Sequence, residues 1–167
     1  ISGDITKLKD FTRLVNARYR IVNSIIWESV GTWEYDDSNY TNLPVATTDI
    51  VDEQQDYEIP STAQKIDRVE IKDTNGEWTR VEPIDKSMVE DALAEFYETP
   101  GIPKYYDLMG NSILLYPKPD TAQTAVDKAL KIYFSRDISE FSYTDTSTEP
   151  GFAKPFHRML SVGAALD

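Results

Sequence analysis

The residues of this chain best supplied for chemistry are acids. Asp36-Asp37, Asp52-Glu53 and Glu90-Asp91 stand as adjacent pairs, and two carboxyl groups in different protonation states are what glycoside hydrolysis needs. A hydrolase of that kind places its pair in a deep cleft. These pairs fall instead in loop-like stretches and at a helix start, where solvated charge is the simpler reading. The one histidine, His157, sits between Phe156 and Arg158 on a helical pattern. No partner set for a nucleophilic triad accompanies it, and no nucleophile elbow occurs. Asp73-Thr74-Asn75-Gly76-Glu77 resembles part of a calcium loop, but it lacks the repeated acidic positions and the closing glutamate. There is no Gly-rich phosphate loop. The chain has no cysteine, which excludes disulfides, thiolate catalysis and Cys-ligated zinc together. The residues therefore predict no catalytic group, no metal site and no cofactor.

Charge narrows the partners. The net charge of −12 is unevenly placed. Residues 1–33 hold five basic and three acidic groups (+2), residues 34–100 hold five and eighteen (−13), and residues 101–167 hold seven and eight (−1). An acidic middle argues against ordinary nucleic-acid binding, which relies on Lys and Arg neutralising phosphates. Exposed aromatics are common at protein interfaces. Tyr35, Tyr40, Tyr105, Phe141 and Tyr143 are accordingly the candidates for contact with another subunit. No apolar run approaches the roughly 20 residues of a membrane span, so no membrane contact is expected.

The elements that would position these residues follow from periodicity. In 4–30, Ile5, Leu8, Phe11, Leu14/Val15, Tyr19, Val22, Ile25/Ile26 and Val30 recur every three to four positions, the mark of an amphipathic helix. Ser2 or Asp4 can cap its start and Gly31 can end it. Such a helix is about 40 Å long, more than a small core requires, so its stripe must meet other helices. Short strand-like pieces then alternate with turn signals at 43–47, 56–59, 66–72, 78–84, 105–109, 112–116 and 129–135. They predict an antiparallel lobe of six or seven strands over about 41–136. KSMVEDALAEFYE at 86–98 reads as a short helix or structured loop. RDISEFSYTDTSTEPGF is a long polar loop, of a kind that is functional or is ordered by a partner. A second helix over 155–167, with Ser161, Gly163, Ala164 and Ala165 as small residues, is expected to pack on the first. The expected architecture is α+β: one domain over 1–167, two terminal helices packed together and an inserted β lobe.

Two turns fix registers. Thr74-Asn75-Gly76 as a three-residue loop pairs Val69 with Val81, Glu70 with Arg80, Ile71 with Thr79 and Arg68 with Glu82. In GIPKYYDLMGNSILLYPKP, a two-residue Gly110-Asn111 loop of the primed type sets Leu108 against Ile113, Tyr106 against Leu115 and Tyr105 against Tyr116. Pro117 and Pro119 then stop the ladder, because proline has no N–H to donate.

The order of segments carries a resemblance. The long helix, GTWEYDDSNYTNLP, YEIPSTAQKIDRVEIKDTNGEW, GIPKYYDLMGNSILLYPKP, LKIYFSRDISEF and PGFAKPFHRMLSVGAALD together resemble the head-to-tail adaptor proteins of tailed bacteriophages, also called connector, ring or neck proteins. The resemblance implies a structural virion protein and no enzyme, made in the host cytoplasm and placed at the head-tail junction. It implies a homo-oligomeric ring, a dodecamer in many members, between the portal protein and the tail or nozzle protein. Double-stranded DNA would pass through that ring without specific binding during packaging and ejection. In that setting Asp36, Asp37, Asp52 and Glu53 are candidate channel-facing acids whose repulsion lets DNA slide. Ile1 in first place and a helical pattern running to Asp167 are expected of a piece of a longer chain, with a C-terminal anchor to the portal beyond it. The other readings are a carbohydrate- or receptor-binding β-rich module of a phage tail or cell surface, and a hydrolase built on paired acids.

Overall fold

In the computed structural model, residues 2–29, 35–85 and 99–166 are described. Gly31 and the 86–98 segment, both singled out in the sequence, lie outside the described residues. The chain divides into two units. One comprises Ile1–Leu43 and Ser135–Asp167, and the other, Pro44–Phe134, is inserted within it.

The first unit is built on α1, Ser2–Ser29. Asp4 in its first turn complements the helix dipole. Its inward stripe, Val15, Tyr19, Val22 and Ile26, packs with Tyr35, Ile138, Phe152 and Leu160. The rings of Phe141 and Phe152 lie 5.6 and 5.4 Å from that of Tyr19, one stacked and one edge-on. The C-terminal α3, Arg158–Leu166, follows a single 3-10 turn at Lys154–Phe156 and buries Leu160 and Ala164. Gly163 lets the two helices approach closely, since a Cβ there would lie 3.1 Å from Cδ of Arg18. The expected packing of the terminal helices is therefore present.

The inserted unit is a seven-stranded sheet. Its strands are β1 (Val45–Thr48), β2 (Asp56–Glu58), β3 (Ala63–Lys72), β4 (Trp78–Pro83), β5 (Tyr105–Met109), β6 (Ser112–Tyr116) and β7 (Leu130–Arg136), the last running on into the helical unit. Their order is β1-β7-β3-β4-β5-β6-β2. Both hairpin registers match the turn chemistry: Val69 faces Val81, Glu70 faces Arg80 and Ile71 faces Thr79. In the second hairpin Leu108 faces Ile113, Tyr106 faces Leu115 and Tyr105 faces Tyr116. Gly76 and Gly110 take φ of +86° and +60°, which side-chain-bearing residues avoid. Asp73 Oδ1 accepts the N–H groups of Asn75 and Glu77 and closes the first turn. One pair departs from the antiparallel expectation: β4 and β5 run parallel, Glu82 beside Tyr105. The 21 residues between them are enough for the return crossing that parallel pairing requires.

The core of this unit is made by alternating inward residues, Val69 and Ile71 on β3, Val81 on β4, Ile113 and Leu115 on β6, and Leu130, Ile132 and Phe134 on β7. A one-turn helix, α2 (Thr121–Thr124), is closed by a reciprocal cap. Asp120 accepts from the backbone of Ala122 and Gln123, and the Gln123 side chain accepts from Asp120 N–H.

Candidate functional site

The densest polar constellation lies in the helical unit, where α1 meets the 35–43 segment and the 137–151 loop. Asp37 is 3 % exposed. Its Oδ2 accepts the Tyr19 hydroxyl at 2.5 Å and the Ser139 N–H at 3.0 Å, and its Oδ1 accepts the Asn39 N–H at 2.9 Å. Tyr19 Oη in turn accepts the Gly151 N–H at 2.5 Å. One carboxylate and one phenol thus join three chain segments. Burial, then the hydrogen bond to Asp37, push the Tyr19 phenol far above its ordinary range. Burial and the Asp37 charge do the same to Tyr35. Both phenols stay protonated near neutrality.

Arg136 forms the second half of the constellation. Its side chain is 4 % exposed. Nε and Nη2 reach the two oxygens of Asp36 at 2.9 and 2.6 Å, a bidentate fork. Nη1 and Nη2 also donate to Asn42, and the guanidinium lies 3.7 Å from the centre of the Tyr40 ring. The Tyr40 hydroxyl donates to the Asp137 carbonyl at 2.9 Å. The hydrogen bond to Asp36 raises the Arg136 pKa, so the cation is permanent.

The long polar loop, expected to be functional or to be ordered by a partner, is fastened by its own chain. The side-chain amide of Asn16 donates to the Phe141 carbonyl at 2.9 Å and accepts the Phe141 N–H at 3.0 Å, as a neighbouring strand would. Arg20 pairs with Glu140 and Asp137, and Asn39 donates to the Glu149 carbonyl. Asn16, Tyr19 and Arg136 were not legible as a set, because they stand far apart in sequence and none belongs to a motif. The only signal was two polar residues, Asn16 and Asn23, within the apolar stripe of α1.

The residues named from the sequence part company here. Asp36, Asp37, Tyr35, Tyr40 and Phe141 belong to the helical unit and are spent on it. Asp36 pairs with Arg136, Asp37 and Tyr35 are buried, Tyr40 lies under Arg136, and Phe141 packs on Tyr19. Tyr143 is exposed, with Lys9 over its ring. In the inserted unit Tyr105, Asp52 and Glu53 are exposed. Asp52 and Glu53 sit on a loop where Glu53 takes φ of +56° and donates its N–H to the Pro119 carbonyl. His157 Nε2 lies 2.7 Å from the Phe152 carbonyl and therefore donates to it, with the imidazole edge-on to the Phe152 ring. Among the described residues no three His, Asp or Glu cluster as metal ligands, and no helix is long and apolar enough to cross a membrane.

The side chains that converge most closely join segments of one chain, on an α+β frame of two packed helices and an inserted sheet. The sequence pattern of the SU10 adaptor protein family matches residues 8–165, and the chain belongs to that family, the structural adaptors of phages. No curated protein matches the chain.

Proposed function

We propose that the protein forms a ring that joins the capsid portal to the tail, extends the DNA channel and transforms no substrate. The family match over nearly the whole chain carries this reading. The polar clasp supports it, because a protein that transmits load between two larger assemblies needs its loops fixed to its helices. So does the charge of the inserted unit. Pro44–Phe134 holds nine basic and eighteen acidic residues, 9 − 18 = −9, three quarters of the chain's net charge. Acids that line a channel repel phosphates and leave DNA free to slide. Of the four acids named for that wall, Asp52 and Glu53 are the two left exposed, and we assign the role to them. Tyr105 and Tyr143 are the exposed aromatics left for contact with the portal or the tail protein. The ring is a dodecamer by family resemblance, made in the host cytoplasm and built into the virion neck.

The test is co-sedimentation of the chain with the purified portal protein of its phage. The reading expects a ring-sized complex; a chain that sediments alone at every portal concentration contradicts it.

A further inference from the structure

We propose that an extended segment of a different protein chain, in which apolar residues alternate with lysine or arginine, adds as a strand between the two free edges of the inserted sheet, β1 and β2. The inference goes beyond the ring reading and does not depend on it.

The sheet order leaves β1 at one end and β2 at the other. The sheet curls until both ends line one cavity of about 290 Å³. Antiparallel pairing fixes which backbone groups face this seam, because bonded and non-bonded positions alternate. Phe134 N–H donates to the Pro44 carbonyl, so Ala46 and Thr48 turn their backbone groups toward β7, and Val45 and Thr47 turn theirs away from it. Leu115 N–H donates to the Gln55 carbonyl and Ile59 N–H to the Asn111 carbonyl, so Tyr57 faces β6, and Asp56 and Glu58 face away from it. The Gln54 side chain takes the Asp56 carbonyl. The other N–H and carbonyl groups of Val45, Thr47, Asp56 and Glu58 have no partner among the described residues.

Backbone chemistry and charge select the occupant. An added strand satisfies both rows at once, since its own donors and acceptors repeat at the spacing of the edges. The floor of the seam is apolar, made by Ala46, Ile59, Leu130 and Ile132. Its outer side is polar and acidic, with Thr47, Asp56 and Glu58 exposed. Side chains of a strand alternate between its two faces, so the segment that fits is apolar inward and basic outward. Asp56 and Glu58 form no ion pair among the described residues, which leaves them open to an incoming cation. Lys131 on the adjoining β7 is spent on Glu70 and the Trp78 ring. The same acids select against a second copy, whose inserted unit brings nine basic and eighteen acidic residues, 9 − 18 = −9, against them. Edges of four and three residues admit a short segment, about 13 Å of extended chain.

The probe is a dye-labelled, end-capped peptide of alternating valine and lysine, titrated into the full chain and read by fluorescence anisotropy. One control is the same peptide N-methylated at alternate amides, which keeps the charge but cannot complete the ladder. The other alternates valine and glutamate. The inference expects the valine–lysine peptide to bind about tenfold tighter than either control. Thr47→Pro removes a seam-facing donor at an edge position, where a sheet tolerates proline. It should weaken the valine–lysine peptide about tenfold while circular dichroism and melting temperature stay as in the wild type. Should that variant fold poorly, Glu58→Lys carries the test, since it should weaken the valine–lysine peptide and strengthen the valine–glutamate one. Equal binding of the N-methylated peptide would show attraction by charge alone and overturn the inference. So would no binding of the valine–lysine peptide, or ladder-dependent binding that neither variant changes.

Discussion

A methyl group on Gly151 would stand 1.8 Å from Oδ1 of Asp37. Only a hydrogen fits between the loop and the carboxylate, so Gly151 is what allows the 137–151 loop to close over Tyr19. The relationship also shows how this unit is organised. One buried carboxylate takes donors from three segments, and the loop that would otherwise wander is drawn down onto it.

Gly151→Ala forces either the loop or Asp37 outward and breaks the Tyr19 and Ser139 hydrogen bonds. The expected loss is about 3 kcal/mol in urea-induced unfolding. A loss within error of zero would show that the loop has slack this geometry denies it.

Tyr19 makes stability depend on alkaline pH. Its folded pKa is raised, so its contribution is fully present below the unfolded value of about 10 and is lost as pH rises toward the folded value. Tyr19→Phe lowers stability at neutral pH by about 1 to 3 kcal/mol, because Gly151 N–H and Asp37 lose a partner. It also makes the fall in melting temperature above pH 10 shallower than in the wild type. Parallel alkaline limbs for the two proteins would contradict the burial of this phenol.

Arg136 tests the fork to Asp36. Arg136→Lys keeps the charge but cannot reproduce the two parallel bonds or the stacking on Tyr40. Arg136→Met leaves Asp36 without a counter-charge and costs about 3 kcal/mol. Lysine should recover less than half of that loss when unfolding is followed by circular dichroism.

Asp52 and Glu53 are exposed, and neutralising both should leave stability within about 0.5 kcal/mol of wild type. In particles assembled with Asp52→Asn/Glu53→Gln, the account expects normal assembly and slowed DNA ejection, read by release of a dye-labelled genome. Unchanged ejection kinetics would remove these acids from the channel wall.

Local grammar made much of the fold legible. Asn75-Gly76 and Gly110-Asn111 name their turns because a positive φ excludes most residues, and the register of each hairpin follows from the turn. The α1 stripe was legible for the same kind of reason, since an apolar residue every three or four positions has one helical face. Long-range pairing left no such trace. Nothing in the sequence near β4 or β5 announces that they lie parallel, because that depends on how 84–104 returns. The clasp was invisible for a different reason. Asp37 and Asp36 read as exposed acids in a run of polar residues, yet Tyr19 and Arg136, 18 and 100 residues from them respectively, take them inward. Tyr143 and Tyr105 are exposed, as expected of contact residues.

The central claim is that this chain is a ring component of the phage neck. Cryo-electron microscopy of the purified virion at the portal vertex tests it most directly. The account predicts a closed ring of copies between portal and tail, with two packed helices and a seven-stranded sheet fitting each repeat. A neck map in which every ring is filled by other chains would contradict it.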